Sequence, residues 1–380
     1  MISSSPAPGS LLALCYGTRP QVIKASLLID ALGERWRVLT VDTGQHYDYE
    51  LNAGLYDALG VRRPDYFLNV GSASHAEQTA ATVTRAAEVF ERELPALVVV
   101  IGDTNSTLGC ALAAAKMRIP VVHVEAGLRA ADVLMAEDIN RRLVDELAGL
   151  LCTPSALATA ELHRRRVPGT IVQTGDVAYD VLLRNAGRAE SVRESSGWPA
   201  DPEVPYIFAT LHRAELTGDD DRLRGVLAGL SALDVPVVFA VHPRTRAALE
   251  KEPVRSAIGE NVHLLPPLGY LDAVAAVRDA MAVVTDSGGV QREAYWLGTP
   301  CVTVRDETEW CETVELGANT LLPPARAREE LPGLVRARAA SRRAGWRRTA
   351  YGSGDAARHV AEAVAKWVEG SRDARKQQVS

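Results

Sequence analysis

Carboxylates, imidazoles and guanidinium groups recur along this chain just after short apolar runs, where proton transfer on a bound anion would need them. The densest case is "VHVEAGLRAADVLMAEDINRRL", Val122 to Leu143. There Glu125, Asp132, Glu137 and Asp138 stand among Arg129, Arg141 and Arg142. A solvated loop has this composition, and so has an acid/base site. Asp103, in "IGDTNST", follows the apolar Val98 to Ile101, which aims its carboxylate at the same crevice as Glu125. The competing role is a helix cap supplied by Asp103 or Thr104.

Two further stretches carry the chemistry of anion binding. In "GTRPQVIK", Gly17 ends a strand, Pro20 lies near a first helical position, and Arg19 and Lys24 bracket the helix start. In "VTDSGGVQREA", Asp286 and Ser287 follow an apolar strand, Gly288 and Gly289 let backbone approach a ligand, and a helix is expected to begin near Val290. Gln291 and Glu293 then lie on its first turns. Two anion sites on facing halves make a nucleotide sugar, its diphosphate spanning a cleft, a natural ligand. "ATLHRAEL" and "AVHPRTR" end two strands with His212-Arg213 and His242-Pro243-Arg244, imidazole for proton transfer and guanidinium for phosphate. "VRDETEWCETVELGAN" adds Arg305, Glu307, Glu309 and Glu312, and "TGQHYDYEL" adds Gln45, His46 and Asp48. "GSASHAEQT" contains Ser74-x-x-Glu77, which reads as a capping box.

The elements that must position these groups are legible in the hydropathy pattern. Runs of Val, Ile and Leu alternate with helical patterns, the signature of parallel βαβ units buried on both faces. "LLALCYG", "WRVLTVDTG", "ALVVVIGD", "PVVHVEAG", "LLCTPS" and "IVQTGD" form a first series, and "YIFATLH", "PVVFAVHP", "VHLLPP", "MAVVTDSGG" and "PCVTVRDE" a second. Between them, from about Leu182 to Pro205, the pattern dissolves into a linker. The fold expected is α/β, two doubly wound Rossmann-like domains facing a cleft. Residues 1–181 make the first domain and 205–350 the second; a terminal helix at 355–370, with Val360, Val364, Trp367 and Val368 on one face, crosses back onto the first.

Composition narrows the partners. The 380 residues are 47% hydrophobic and 24% charged, enough for two domain cores. Lys+Arg 42 against Asp+Glu 48 gives −6, which points away from nucleic acid; the Arg-rich "RARAASRRAGWRR" reads as a solvated helix face. Five scattered cysteines without CxxC spacing fit reduced thiols in the cytoplasm and no zinc site. No signal peptide and no apolar run of membrane-spanning length is visible. There is no GxGxxG with a downstream acid and no GxxxxGK[ST], so neither cofactor nor metal is expected, and the chemistry falls to carboxylates and histidine.

Assembled in order, "GTRPQVIKA", "VDTGQHYDYEL", "GSASHAEQTA", "GDTNSTLGCALAAAK", "HVEAGLRA", "EDINRR", "TLHRAE", "HPRTR", "TDSGGVQREA" and "VRDETEW" resemble the non-hydrolysing UDP-N-acetylglucosamine 2-epimerase family over nearly the whole chain. "GQHYDYE" and "DETEWCETVELG" look most like its branch acting on UDP-2,3-diacetamido glucuronic acid sugars. The resemblance implies a GT-B-like fold, a homodimer, and inversion at sugar carbon 2 of a UDP-2-acetamido sugar, by default UDP-GlcNAc to UDP-ManNAc. Asp103, Glu125 and Glu137 would be the acid/base carboxylates, with His212 also needed. Arg19, Lys24, Arg141, His242, Ser287, Gly288, Gly289, Glu293 and Arg305 would hold UDP and the sugar. Arg141, one turn after Glu137, would meet the ligand or orient that carboxylate, while Asp132 and Arg142 stay with the solvated loop.

The chain departs from the family at Ala136-Glu137-Asp138, where Pro-Glu-Glu is usual, and at Leu216, where an asparagine contact with sugar or uracil would be lost. Gln21 replaces a frequent glutamate, and Asp48 speaks against activation by substrate, whereas the retained Lys24 favours epimerisation over release of free sugar. The alternatives are a hydrolysing 2-epimerase that releases the free sugar and UDP, and a GT-B glycosyltransferase.

Overall fold

The computed structural model describes residues 9–45, 56, 60–188, 204–340, 346 and 348–379, with side chains to 371. His46 and Asp48 therefore lie outside the described residues. The chain forms two compact units, one of residues 1–183 with 349–380, the other of 184–348.

The first unit is built on a seven-stranded parallel sheet in the order β3-β2-β1-β4-β5-β6-β7. Its strands are β1 Leu11–Tyr16, β2 Arg37–Asp42, β3 Tyr66–Phe67, β4 Leu97–Ile101, β5 Val121–Val124, β6 Leu150–Thr153 and β7 Thr170–Gln173. Every residue of β4, β5 and β6 is buried, as helices on both faces require. The second unit has six parallel strands in the order β10-β9-β8-β11-β12-β13. These are β8 Ile207–Thr210, β9 Val237–Ala240, β10 Val262–Leu265, β11 Ala282–Thr285, β12 Cys301–Thr303 and β13 Asn319–Leu321.

Both sheets reverse direction once, between β1 and β4 and between β8 and β11. At such a switch point neighbouring loops leave in opposite directions and open a crevice at the carboxyl ends of the strands. The residues that end β1, β4, β8 and β11 are Gly17, Gly102-Asp103, Leu211-His212 and Asp286-Ser287, so most of the candidate groups are delivered to these two points.

β3, two residues long, and β13, which opens on Asn319, escape the hydropathy pattern because neither is a continuous apolar run. The terminal helix runs Ala356–Val379, longer than 355–370. It packs on the helix Arg19–Gly33 and on β6, and Gly149 leaves room for the Trp367 ring, whose Cζ2 would lie 2.5 Å from a Cβ there. Among the described residues no helix is long and apolar enough to cross a membrane.

Candidate functional site

In the first unit the switch point is held together by Gln21. Its Oε1 accepts from the amides of Gly17 and Thr18, at 2.9 and 3.2 Å. Its Nε2 donates to the Ile101 carbonyl at 2.6 Å and to the hydroxyls of Thr104 and Thr107 at 3.0 and 2.9 Å. This explains the amide where a glutamate is frequent: a carboxylate has no hydrogen to give the Ile101 carbonyl. Gly17 is required by close approach, since a Cβ would lie 1.9 Å from Thr43 Oγ1.

Around this staple stand two ion pairs. Lys24 Nζ meets Glu125 Oε2, and both side chains are buried. Arg141 Nη2 meets Asp103 Oδ2, the guanidinium buried and the carboxylate partly exposed. Glu125 follows β5 with a φ of 70°, a left-handed conformation that costs a non-glycine residue energy and points the side chain off the strand end. Its amide donates to the Cys152 carbonyl at 3.0 Å. Thr104, not Asp103, caps the helix Asn105–Lys116, which leaves the Asp103 carboxylate for Arg141.

Arg141 thus does not orient Glu137 along its own helix; the tertiary pairing with Asp103 takes it. Glu137 lies exposed in the first turn of the helix Ala136–Leu147. Asp138 is fully buried and accepts from the Ala130 amide at 2.9 Å, with Arg142 on its other oxygen. Arg142 therefore braces the loop rather than floating on it, whereas Asp132 is exposed and receives the Leu134 amide at 2.9 Å. Arg19 is exposed at the N-terminus of its helix, while Lys24, a turn and a half inward, is buried.

A polar lattice that sequence reasoning missed supports Asp103. Asn140 Nδ2 donates to the Asp103 carbonyl at 2.9 Å and to Asn105 Oδ1 at 3.2 Å, and Asn105 Nδ2 donates to Gln78 Oε1 at 2.7 Å. Gln45, already a candidate from the sequence, joins the lattice: its Oε1 accepts from the Ser106 amide and hydroxyl at 3.0 and 2.7 Å. Buried amides inside otherwise amphipathic helices were the available signal, since such groups persist only where they are satisfied.

The second unit centres on Asp286. It is fully buried at the end of β11 and accepts from the amides of His212 and Arg213, at 2.9 and 2.8 Å. His212 Nδ1 lies 3.2 Å from its Oδ1. Burial alone would raise this carboxyl; the hydrogen bond and charge of His212, with the two amides, hold it below the usual carboxylate value. The pairing turns His212 Nε2 away from Asp286. The rings of His212 and His242 are 5.4 Å apart. His242 Nδ1 accepts from the Arg244 amide at 3.2 Å and so caps the helix Pro243–Leu249, and Arg244 Nη1 donates to the His212 carbonyl at 3.0 Å.

The glycine turn differs from expectation at its helix start. The helix runs Gly288–Leu297, not from Val290, because Ser287 is the N-cap and accepts from the Val290 amide. A Cβ on Gly288 would come within 2.9 Å of Trp310 Nε1 and 3.2 Å of Glu309 Oε1, so this position excludes side chains. Gly289 has only ordinary contact there. Arg292 stacks 3.6 Å above the Trp310 ring and donates to the Gly288 carbonyl at 3.3 Å. Arg305 is buried and gives Nη1 to Glu309 at 2.9 Å, and Arg213 reaches the same carboxylate at 3.6 Å. Glu293, half-buried, follows one turn into the helix. Leu216 is 2% exposed and packs within the apolar core of its unit.

Each unit thus gathers its own set: Asp103, Glu125, Lys24 and Arg141 in one, His212, His242, Asp286, Ser287, Gly288, Gly289 and Arg305 in the other. All five cysteines are unbridged, and among the described residues no cluster of three metal-binding side chains occurs.

The sequence pattern of the UDP-N-acetylglucosamine 2-epimerase family matches residues 31–365. A UDP-N-acetylglucosamine 2-epimerase homolog of Methanococcus maripaludis is 40% identical over 313 residues, 80% of this chain and 87% of that protein. The UDP-2,3-diacetamido-2,3-dideoxy-D-glucuronate 2-epimerase of Pseudomonas aeruginosa is 38% identical over 364 residues, 92% of this chain and 98% of that one. The structure of Methanocaldococcus jannaschii UDP-GlcNAc 2-epimerase in complex with UDP-GlcNAc and UDP superposes with a TM-score of 0.83 and 34% identity, covering 94% and 99%. The fold is accordingly GT-B-like.

Proposed function

This chain belongs to the UDP-N-acetylglucosamine 2-epimerase family, and from that premise we propose that it inverts carbon 2 of a UDP-linked 2-acetamido sugar without hydrolysing it. The observation that carries the reading is the pair of carboxylate–cation couples, Glu125–Lys24 and Asp103–Arg141, at the carboxyl ends of adjacent strands. Carbon 2 is not adjacent to a carbonyl, so its proton is poorly acidic. The C1–O bond to UDP therefore breaks first, and positive charge develops on the ring. A carboxylate then takes the carbon 2 proton to leave a 2-acetamidoglucal and UDP. A second acid returns a proton to the opposite face, and UDP re-adds at carbon 1.

Inversion requires groups on both faces, which is why Asp103, Glu125 and Glu137 are assigned as acid/base residues, with His212, held by Asp286, as the fourth. Cations and helix N-termini stabilise the departing diphosphate. Arg19, Lys24, Arg141, His242, Ser287, Gly288, Gly289, Glu293 and Arg305 hold UDP and the sugar, in a cytoplasmic homodimer. The substrate is UDP-GlcNAc or, as the relative from Pseudomonas aeruginosa suggests, a 2,3-diacetamido uronic acid counterpart.

Incubation with each UDP-sugar in deuterated water, followed by proton NMR, tests the reading. Deuterium at carbon 2 of a UDP-linked epimer is the expected result. Free ManNAc plus UDP would overturn the non-hydrolysing outcome.

A further inference from the structure

Resting on the epimerase reading, we propose that His123, Asp145 and Arg129 form a buried positioning triad that sets the acid/base carboxylates Asp103 and Glu125. His123 sits on β5, two residues before Glu125, and is 0% exposed, as is Asp145 on the helix Ala136–Leu147. The imidazole Nδ1 lies 2.8 Å from Asp145 Oδ1 and Nε2 lies 2.8 Å from the Gly102 carbonyl. Arg129 places Nη2 2.7 Å from the other oxygen, Asp145 Oδ2, and is itself anchored by Nη1 on the Leu128 carbonyl at 2.7 Å. Asp145 thus has the imidazole at one oxygen and, as an ion-pair contact, the Arg129 guanidinium at the other, and the Gly102 carbonyl oxygen can only accept. The Nε2 facing the Gly102 carbonyl is therefore the donor of that bond, and Nδ1 faces the Asp145 carboxyl.

What the triad grips explains its use. Gly102, left-handed at φ 67°, directly precedes Asp103, so the His123 hydrogen bond fixes the turn that presents that carboxylate. The same ring belongs to the strand whose end carries Glu125 in its strained φ of 70°. Asp145 lies one turn beyond Arg141 on the same helix, and Arg141 holds Asp103 from the front. One hydrogen-bonded chain thus ties the loop after β4, strand β5 and the helix Ala136–Leu147 at the point where their functional groups meet. Buried ionic groups are a poor source of stability, because apolar residues of like volume pack as well. Precise placement of reacting groups is what such a network supplies instead. None of the three side chains needs to touch a ligand.

The test compares His123→Gln and Asp145→Asn with the wild-type full chain, each checked for folding by circular dichroism; if the first does not fold, the second carries the comparison. We expect kcat for carbon 2 inversion to fall by about a hundredfold, with carbon 2 deuterium exchange falling in parallel. Affinity for UDP by calorimetry should fall by much less than kcat, since most residues assigned to UDP lie outside the elements the triad grips, Arg141 on the Asp145 helix being the exception. Side-chain nitrogen NMR of the wild type should show a slowly exchanging proton on His123 Nε2. An unchanged kcat, a parallel loss of UDP affinity, or a bare His123 Nε2 overturns the triad. Absence of wild-type turnover on every UDP-sugar instead sinks the epimerase reading, and the His123 Nε2 proton still decides the triad.

Discussion

Lys24 and Glu125 show how little a residue's identity says until its partner is known. Glu125→Gln removes the proposed base and should lower kcat by about a hundredfold or more, measured as carbon 2 deuterium exchange. It also leaves the buried Lys24 ammonium without that anion, so the urea midpoint should fall too. Gln21→Glu is the converse case. A carboxylate oxygen would then face the Ile101 carbonyl now bonded at 2.6 Å, and a cost of about 1–3 kcal/mol is expected in thermal unfolding. Asp286 contributes to acid stability. Its carboxyl is held below the usual value in the folded chain, so its stabilisation is complete above the unfolded-state pKa and is lost as pH falls through the folded one. Asp286→Asn should therefore flatten the acid limb of the stability curve while lowering stability near neutrality, as urea melts across pH would report. Sequence alone made Glu125, Asp103 and His212 candidates from their places after apolar runs. It could not pair them, because Arg141 is four residues from Glu137 yet meets Asp103, 38 positions away.

The turn Ser287-Gly288-Gly289 shows what an element adds. Sequence marks it as a glycine-rich strand-to-helix connection but treats the two glycines alike. Trp310 and Glu309 separate them: a Cβ is excluded at Gly288 and tolerated at Gly289. Gly288→Ala should reduce UDP affinity in calorimetry and lower the melting temperature, whereas Gly289→Ala should leave the melting temperature nearly unchanged. Thiol chemistry is an element-level property as well. Cys152 on β6 and Cys301 on β12 are pushed up to about 12 by burial, whereas Cys311 opens an exposed helix turn. Its thiol is also raised, first by partial burial and then by Glu312, Glu315 and Glu309, so a thiol reagent should label it slowly in the native protein. The other cysteines should react only on unfolding. The capping box at Ser74 was readable outright, because its geometry is local: Ser74 Oγ and amide both reach Glu77, at 2.7 and 3.1 Å.

At the scale of the whole molecule, the first unit is discontinuous, residues 1–183 completed by 349–380, while the second is a single stretch. Val360, Val364 and Val368 of the terminal helix are buried, and each such side chain is worth about 1.5–3 kcal/mol. That loss rivals the net stability of a domain. A fragment of residues 184–348 should therefore melt cooperatively by circular dichroism, because its apolar clusters are drawn from its own chain. A fragment of 1–183 should not. The sequence by itself determined the α/β class, the strands that are continuous apolar runs, the family and the set of residues able to do chemistry, because all of these are local in the chain or periodic along it. The tertiary structure decided which carboxylate meets which cation, which glycine is obligatory, and that His123 joins Asp145 to Gly102. Those outcomes depend on strand order and on the two switch points, where residues tens of positions apart are brought within hydrogen-bonding distance.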